Sequence, residues 1–323
     1  MPSTACDKRL WDQVDGGTSC RRAVVVADKQ YIALDSRAVL TVGGEDRTDF
    51  LQGLISNDIG QVAPDTAIWA ALLTPQGKYL HDFFIAEMNS LYFLDCEAQR
   101  IVDLGQRLSR FKLRSEVELG IGDSFTVFAL LGENAGKLLG LTEMSGNAKP
   151  FADGIAYVDP RLGTAGARLI APRRAAVQAL RGIGFVEGAF AAYERLRLTL
   201  GLPDGSRDLV VEKSTLLESN FEELHGLDWD KGCYMGQELT ARTKYRGLAR
   251  RRLMPINIDG PIPAPGTPIL AGDIEAGEIR SAFDGIGLAL LRLDRINKSE
   301  SEGVDLVAGT ARIIPRKPEW AHD

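Results

Sequence analysis

Asp228-Trp229-Asp230-Lys231-Gly232-Cys233-Tyr234-Met235-Gly236-Gln237-Glu238-Leu239 is the stretch on which the reading of this chain turns. Two glycines bracket a lone cysteine. Gly232 and Gly236 let the backbone turn sharply and approach a ligand or partner closely, which gives Cys233 a defined position. Lys231 stands beside it, and Arg242, Lys244, Arg246, Arg250, Arg251 and Arg252 follow. Such an electropositive setting favours thiolate over thiol, so the sulfur suits a nucleophile, a soft metal ligand or a redox site. The alternative is a small buried apolar residue in a tight turn, since free cysteine is among the most buried residue types. The basic run fits a solvated face, a phosphate-tracking patch or a clamp for an anionic tail. With only Tyr245 interleaved, it lacks the stacking pattern of single-stranded nucleic-acid binders, and a carboxylate or phosphate clamp is preferred.

Working towards the N-terminus, Tyr193, Leu196 and Leu200 predict a helix stopped by Gly201-Leu202-Pro203. A helical run surrounds Ala175 to Leu180, and a strand is expected over Phe125 to Leu131. Gly132-Glu133-Asn134-Ala135-Gly136-Lys137 resembles a phosphate loop, but its glycines are spaced one short and Leu138 replaces the magnesium-binding hydroxyl, so it reads as a turn feeding a helix. Ala67 to Leu73 and Tyr79 to Ala86, joined by Thr74-Pro75-Gln76-Gly77-Lys78, predict a hairpin. His81 and Asp82 are neighbours on its second strand and therefore face opposite ways. Strands are also expected at Tyr31 to Leu34, Val39 to Val42, Ser90 to Cys96 and, from alternation, Leu113 to Leu119. Phe50, Leu51, Leu54 and Ile55 predict one helix; Ile101, Leu104, Leu108 and Phe111 predict another. Helices and strands mix without a strict βαβ rhythm, which favours α+β. From Met254 onward, Pro255, Pro261, Pro263, Pro265 and Pro268 and short Gly-broken apolar runs predict a small antiparallel β-barrel. The expected divisions are an extension over 1–30, α+β domains over 31–120 and 121–252, and the barrel over 253–323.

Composition excludes several classes. The 323 residues carry 38 basic and 44 acidic side chains, a net charge of −6, and are 45% hydrophobic. That is the balance of a globular protein, and any nucleic-acid role would be local to 242–252. Cys6, Cys20, Cys96 and Cys233 form no CxxC pair, which argues for a reducing compartment and against a disulfide framework. With only His81, His225 and His322, and no G-x-S-x-G elbow, no metal site and no hydrolase triad is expected. No apolar run is long enough to span a membrane, and no membrane partner is expected. The N-terminal extension carries acidic residues where transit peptides are acidic-poor, so the expected location is cytoplasmic rather than mitochondrial.

Lys231-Gly232-Cys233-Tyr234-Met235-Gly236-Gln237-Glu238 resembles the K-G-C-Y-x-G-Q-E signature of the YgfZ family, folate-binding relatives of the glycine-cleavage T-protein that act in iron–sulfur cluster maintenance. Phe50-Leu51-Gln52-Gly53-Leu54-Ile55-Ser56-Asn57-Asp58, the Gln76-Gly77-Lys78 turn before Asp82, and Arg195-Leu196-Arg197-Leu198 support it. The resemblance spans all but the N-terminal extension. It implies a three-domain T-protein-like ring around a central channel that takes a reduced folate (tetrahydrofolate), with the cysteine loop near its mouth. It further implies Cys233, Lys231 and Asp82 as reactive residues. Asn57, Arg197, Gln237, Glu238, Arg242 and Arg246 would lie on the ligand side, with Gln237 and Glu238 orienting the loop.

Two departures from the T-protein pattern stand out. The T-protein has an Asp-Asp pair where this chain reads His81-Asp82. Its pterin-reading glutamate is replaced by Thr199, which loses a bidentate acceptor. Glu194 lies roughly 140° away around the helix and does not substitute. The leading expectation is thus an accessory factor for [4Fe–4S] protein assembly or repair, with iron–sulfur proteins or cluster-assembly factors as partners and Cys233 as thiolate. A folate-dependent one-carbon transferase that modifies tRNA or a protein-bound amine, and a non-catalytic scaffold, are the alternatives.

Overall fold

A computed structural model describes residues 29–247 and 250–321. All but the last two residues of the expected N-terminal extension, and His322, lie outside the described residues. The chain divides into two compact units. Of the described residues, one holds those from Lys29 to Tyr193 together with Leu224–Gln237, and the other holds Glu194–Glu223 and those from Glu238 onward.

The first unit opens with β1 (Gln30–Ala33), β2 (Arg37–Gly43) and a short α1 (Arg47–Gln52). The predicted hairpin follows as β3 (Ile68–Leu73) and β4 (Tyr79–Met88), then β5 (Leu91–Glu97), α2 (Ile101–Lys112) and β6 (Glu118–Ile121). Next come β7 (Thr126–Leu131), α3 (Ala135–Leu138), β8 (Ala148–Phe151), β9 (Gly154–Val158), β10 (Ala167–Ala171), α4 (Arg173–Gly182) and β11 (Val186–Glu187). Two sheets result, ordered β3-β4-β5-β2-β6 and β11-β1-β7-β10-β9-β8. Every residue of β3 is buried, so this strand reads as a continuous apolar run rather than an alternating one. Tyr31, Phe128, Leu130, Leu169, Ala176, Leu180 and Phe185 form a core between the second sheet and α4.

Charge as well as hydrocarbon joins the two sheets. Asp95 on β5 accepts from Nε of Arg37 (2.6 Å) and Nε of Arg168 (2.9 Å), and Arg161 holds Asp159 through Nε (3.0 Å) and Nη2 (2.8 Å). All five side chains are buried. The guanidinium carbons of Arg168, Arg161 and Arg37 lie 4.1, 4.8 and 5.7 Å from the centroid of the Phe84 ring. Nothing in the sequence marks this cluster, because its members are spread from Arg37 to Arg168 over three strands and the connection between β9 and β10.

The second unit contains most of α5 (Phe190–Leu200), which ends at Gly201 with φ +76 as the Gly-Leu-Pro stop predicts, and α6 (Gln237–Tyr245) apart from its first residue. The predicted barrel is closed. Its strands are β12 (Arg251–Asp259), β13 (Pro268–Ala271), β14 (Ile274–Phe283), β15 (Ile286–Arg292), β16 (Leu306–Ala308) and β17 (Ala311–Pro315), in the order β12-β15-β14-β13-β16-β17.

Three local expectations differ from the fold. The helix expected through Ile55 stops at Gln52, because Ile55 bridges to Leu72 at the start of the sheet. The strand expected from Leu113 begins only at Glu118. Leu113 instead turns the chain with φ +42 and is 89% exposed, while the amide of Ser115 closes onto the Lys112 carbonyl (2.7 Å) and the amide of Glu116 onto Asp46 (2.7 Å). Finally, α7 (Leu293–Glu302) went unpredicted, since its one fully buried apolar side chain, Ile296, makes no stripe. Among the described residues no helix is long and apolar enough to cross a membrane.

Candidate functional site: the cysteine loop

The two sequence motifs that looked separate are one structure. Ser56 and Asn57 follow α1 and their side chains reach across to the segment before the cysteine. Ser56 Oγ donates to the Gly226 carbonyl (2.6 Å), and its own carbonyl accepts from the Asp228 amide (3.1 Å). Asn57 Nδ2 donates to the carbonyls of Trp69 and His225, both at 2.8 Å. Asp228 then turns the chain by accepting the amides of Asp230 (2.7 Å) and Lys231 (3.1 Å) on Oδ1. Gln52 completes the junction: its Nε2 donates to the Lys231 carbonyl (3.0 Å) and to Asp58 Oδ1 (2.9 Å), and its Oε1 accepts the Ile59 amide (3.0 Å).

Lys231 carries the strongest tie. Its Nζ donates to the carbonyls of Gln52 (2.8 Å), Ile55 (2.7 Å) and Asn57 (2.8 Å), which uses all three ammonium donors, and it lies 5.3 Å from the centroid of the Tyr234 ring. Burial lowers its pKa to about 8, against the opposing pull of Asp58 and Asp228. The expected role of Lys231, an electrostatic neighbour of the thiol, is therefore replaced by a mechanical one. Its charge is directed at the last carbonyl of α1 and at two carbonyls of the segment that follows it.

Cys233 is exposed, between Gly232 with φ +93 and Gly236 with φ +86. The two glycines differ in what surrounds them. A Cβ on Gly236 would meet the Thr74 carbonyl oxygen at 2.6 Å and Gly77 Cα at 3.0 Å, so the loop lies directly on the β3–β4 turn. A Cβ on Gly232 would meet nothing within 4 Å, which leaves open space beside the thiol. The Met235 amide donates to the Gly53 carbonyl (3.1 Å). The other described cysteine, Cys96, is buried and its thiol is pushed up to about 12 by that burial, so it is chemically quiet. A pinned, accessible thiol with free space at its side can attack an electrophile or ligate a soft metal. Among the described residues no cluster of three His, Cys, Asp or Glu side chains could hold a metal ion by itself.

The remaining expected site residues are dispersed in role. Gln237 receives the Tyr234 amide on Oε1 (3.4 Å) and its own amide donates to the Tyr234 carbonyl (3.2 Å), closing the loop. Glu238 and Arg242 are exposed on α6, and Arg246 is exposed in the turn directly after it. Asp82 is buried, accepting from Tyr79 Oη (2.7 Å) and Trp69 Nε1 (3.1 Å). His81 faces the other way, 2.9 Å from Asp103. Arg197 is buried and spent: Nε and Nη2 grip Glu194 (2.8 and 2.6 Å), and Nη1 holds Asp208 (2.7 Å). Arg207 holds the same two Glu194 oxygens. Asn57 and Arg197 thus do not fit a folate, since their donors are committed within the fold. Gln52, Ser56, Asp58 and Asp228 were missed as loop supports; the polar run closing the apolar 50–58 motif was the signal for them.

Comparison with known proteins places this geometry. Residues 250–323 match the family described as CAF17, C-terminal beta-barrel domain. The fold is similar to the crystal structure of glycine cleavage system aminomethyltransferase T from Bartonella henselae, with TM-score 0.73 over 91% of this chain and 87% of that one, at 14% identity. A T-protein-like α+β fold ending in a closed barrel is thereby the structural class. The mouse iron-sulfur cluster assembly factor IBA57, mitochondrial, is 31% identical over 315 residues, covering 89% of this chain and 84% of the relative. Its human counterpart is 31% identical over 313 residues, with the same coverages. The chain belongs to the IBA57 family of iron–sulfur cluster assembly factors. These relatives correct the cytoplasmic expectation: both are mitochondrial proteins, and the acidic N-terminal residues were no guide to location.

Proposed function

We propose that the chain serves iron–sulfur cluster assembly in the YgfZ-like manner, with Cys233 as the group that touches the cargo. The observation that carries this reading is the accessible thiol on a loop whose position is preset by two left-handed glycines and by the three-carbonyl grip of Lys231. The names of the relatives support the cargo class and a mitochondrial setting. Cys233 ligates a cluster iron as its thiolate, taking the place of a ligand that the delivering protein withdraws and releasing the iron again when the receiving protein supplies its own. Gly232 leaves room for that bulk, and Lys231, Gln52 and Gln237 keep the thiol in place. The cluster is cargo, supplied and removed by partner proteins of the assembly system. No step is routed through a folate, given the commitments of Asn57 and Arg197.

The test is rescue of a [4Fe–4S] enzyme's activity in cells lacking the native gene, with wild type, Cys233→Ala and Cys233→Ser at matched protein levels. Both variants are expected to fail while keeping wild-type melting curves, because an exposed thiol contributes little to stability. Full rescue by both would remove the thiol from the mechanism and leave the loop as scaffold.

A further inference from the structure

Four arginines on the barrel-bearing unit, Arg242, Arg246, Arg250 and Arg251, are exposed, and among the described residues none has a carboxylate partner. Their inward neighbours differ: Lys244 pairs with Glu222, and buried Arg252 pairs with Glu223. The local acids are thus used on the inner bases and the outer ones are left to solvent. On α6, Glu238, Leu239, Arg242 and Tyr245, with Arg246 in the turn that continues it (its amide donates to the Arg242 carbonyl, 3.2 Å), fall within roughly 120° of arc at 100° per residue, and all five are exposed. Thr240, on the other side, is buried.

Two details set this face apart from an ordinary solvated one. Tyr245 is 83% exposed and Leu239 39%, so apolar area accompanies the charge. Arg251 stands directly opposite Arg292 in the β12–β15 ladder, a like-charged cross-strand pair that costs stability, although Asp294 in the first turn of α7 bonds Arg292. The fold tolerates this repulsion at the edge of the same basic surface.

We propose that this face docks a carboxylate-rich segment of a partner protein, with an apolar side chain of that segment covering Tyr245 and Leu239. Carboxylates match the fork geometry of Arg242 and Arg246, and a peptide supplies the apolar cover that a phosphate backbone lacks. A single-stranded nucleic acid would call for several stacking aromatics, and the helix offers one. Glu238, the one acid on the face, sits at its N-terminal end and sets a polarity to the docked segment. The proposal rests on the assembly-factor reading only for the identity of the partner as a protein that delivers or receives cargo.

The test measures binding rather than cluster activity, so the two readings fail separately. A fluorescein-labelled peptide of repeating Glu-Glu-Leu units is titrated with the full chain by fluorescence anisotropy, beside a labelled oligothymidylate. Salt-sensitive peptide binding is expected, roughly tenfold weaker in Arg242→Glu/Arg246→Glu. Tyr245→Ala, on a side chain too exposed to affect folding, is expected to weaken it severalfold, and Cys233→Ala is expected to leave it unchanged. Equal affinity in wild type and both surface variants, or tighter binding of the oligothymidylate, would overturn the proposal.

Discussion

Gly232 and Gly236 share a left-handed backbone yet answer to different constraints, and substitution separates them. Gly232→Ala meets only the conformational penalty, about 1–2 kcal/mol, because space is open around it. Gly236→Ala adds a collision with the Thr74 carbonyl and should cost about 3 kcal/mol or more. Urea denaturation of the two variants checks the ordering, and equal losses would mean that the loop does not rest on the β3–β4 turn. Lys231 belongs to the same account. Lys231→Met keeps the aliphatic stem and removes three hydrogen bonds, for an expected loss of about 2 kcal/mol. The cysteine and its glycines were legible in the sequence because residue type alone signals them. The use of Lys231 was not, since nothing in K-G-C-Y says whether the ammonium points at the sulfur or at a carbonyl 174 positions earlier.

The second strand of the hairpin shows how an element assigns roles that residue identity leaves open. Pairing of Leu73 with Tyr79 and of Leu72 with His81 makes Leu80 an extra residue, a bulge. That shift brings Tyr79 and Asp82 to one face, where Tyr79 Oη bonds the carboxylate, and turns His81 to the opposite face against α2. The alternation of His81 and Asp82 was readable from strand period; the bulge was not, because only the partner strand reveals it. Burial, and then Arg100, lower the His81 imidazole to about 4, against the hydrogen bond with Asp103. The folded state thus prefers neutral His81, while the unfolded chain titrates near the ordinary value of 6.5. The stability from this group is complete above about pH 6.5, declines as pH falls, and is lost by about pH 4, a total of about 3 kcal/mol. Chemical denaturation across that range should show His81→Gln with a shallower decline than wild type; parallel curves would mean that His81 titrates alike in both states.

Across the whole molecule, the apolar pattern located the barrel, the hairpin and most helices, because periodicity reports burial. It was silent on the charges that the fold buries. Each unit has such a cluster: Asp95, Arg37 and Arg168 with Asp159 and Arg161 in one, and Arg197 with Glu194 and Asp208 in the other. A buried arginine in an R-L-R-L helix looks like a ligand residue in sequence, and like a strut once its partners are known. The two roles predict opposite outcomes for Arg197→Met. A ligand residue could be replaced with little loss of stability. A strut leaves Glu194 and Asp208 facing each other without their shared cation, with Arg207 offsetting only Glu194, and removal of one partner from such a buried set costs about 3–5 kcal/mol. The charge that holds α5 to the segment after it is therefore expected to reveal itself as a large fall in the urea midpoint of the variant. A variant as stable as wild type would return Arg197 to the list of groups free to bind a ligand.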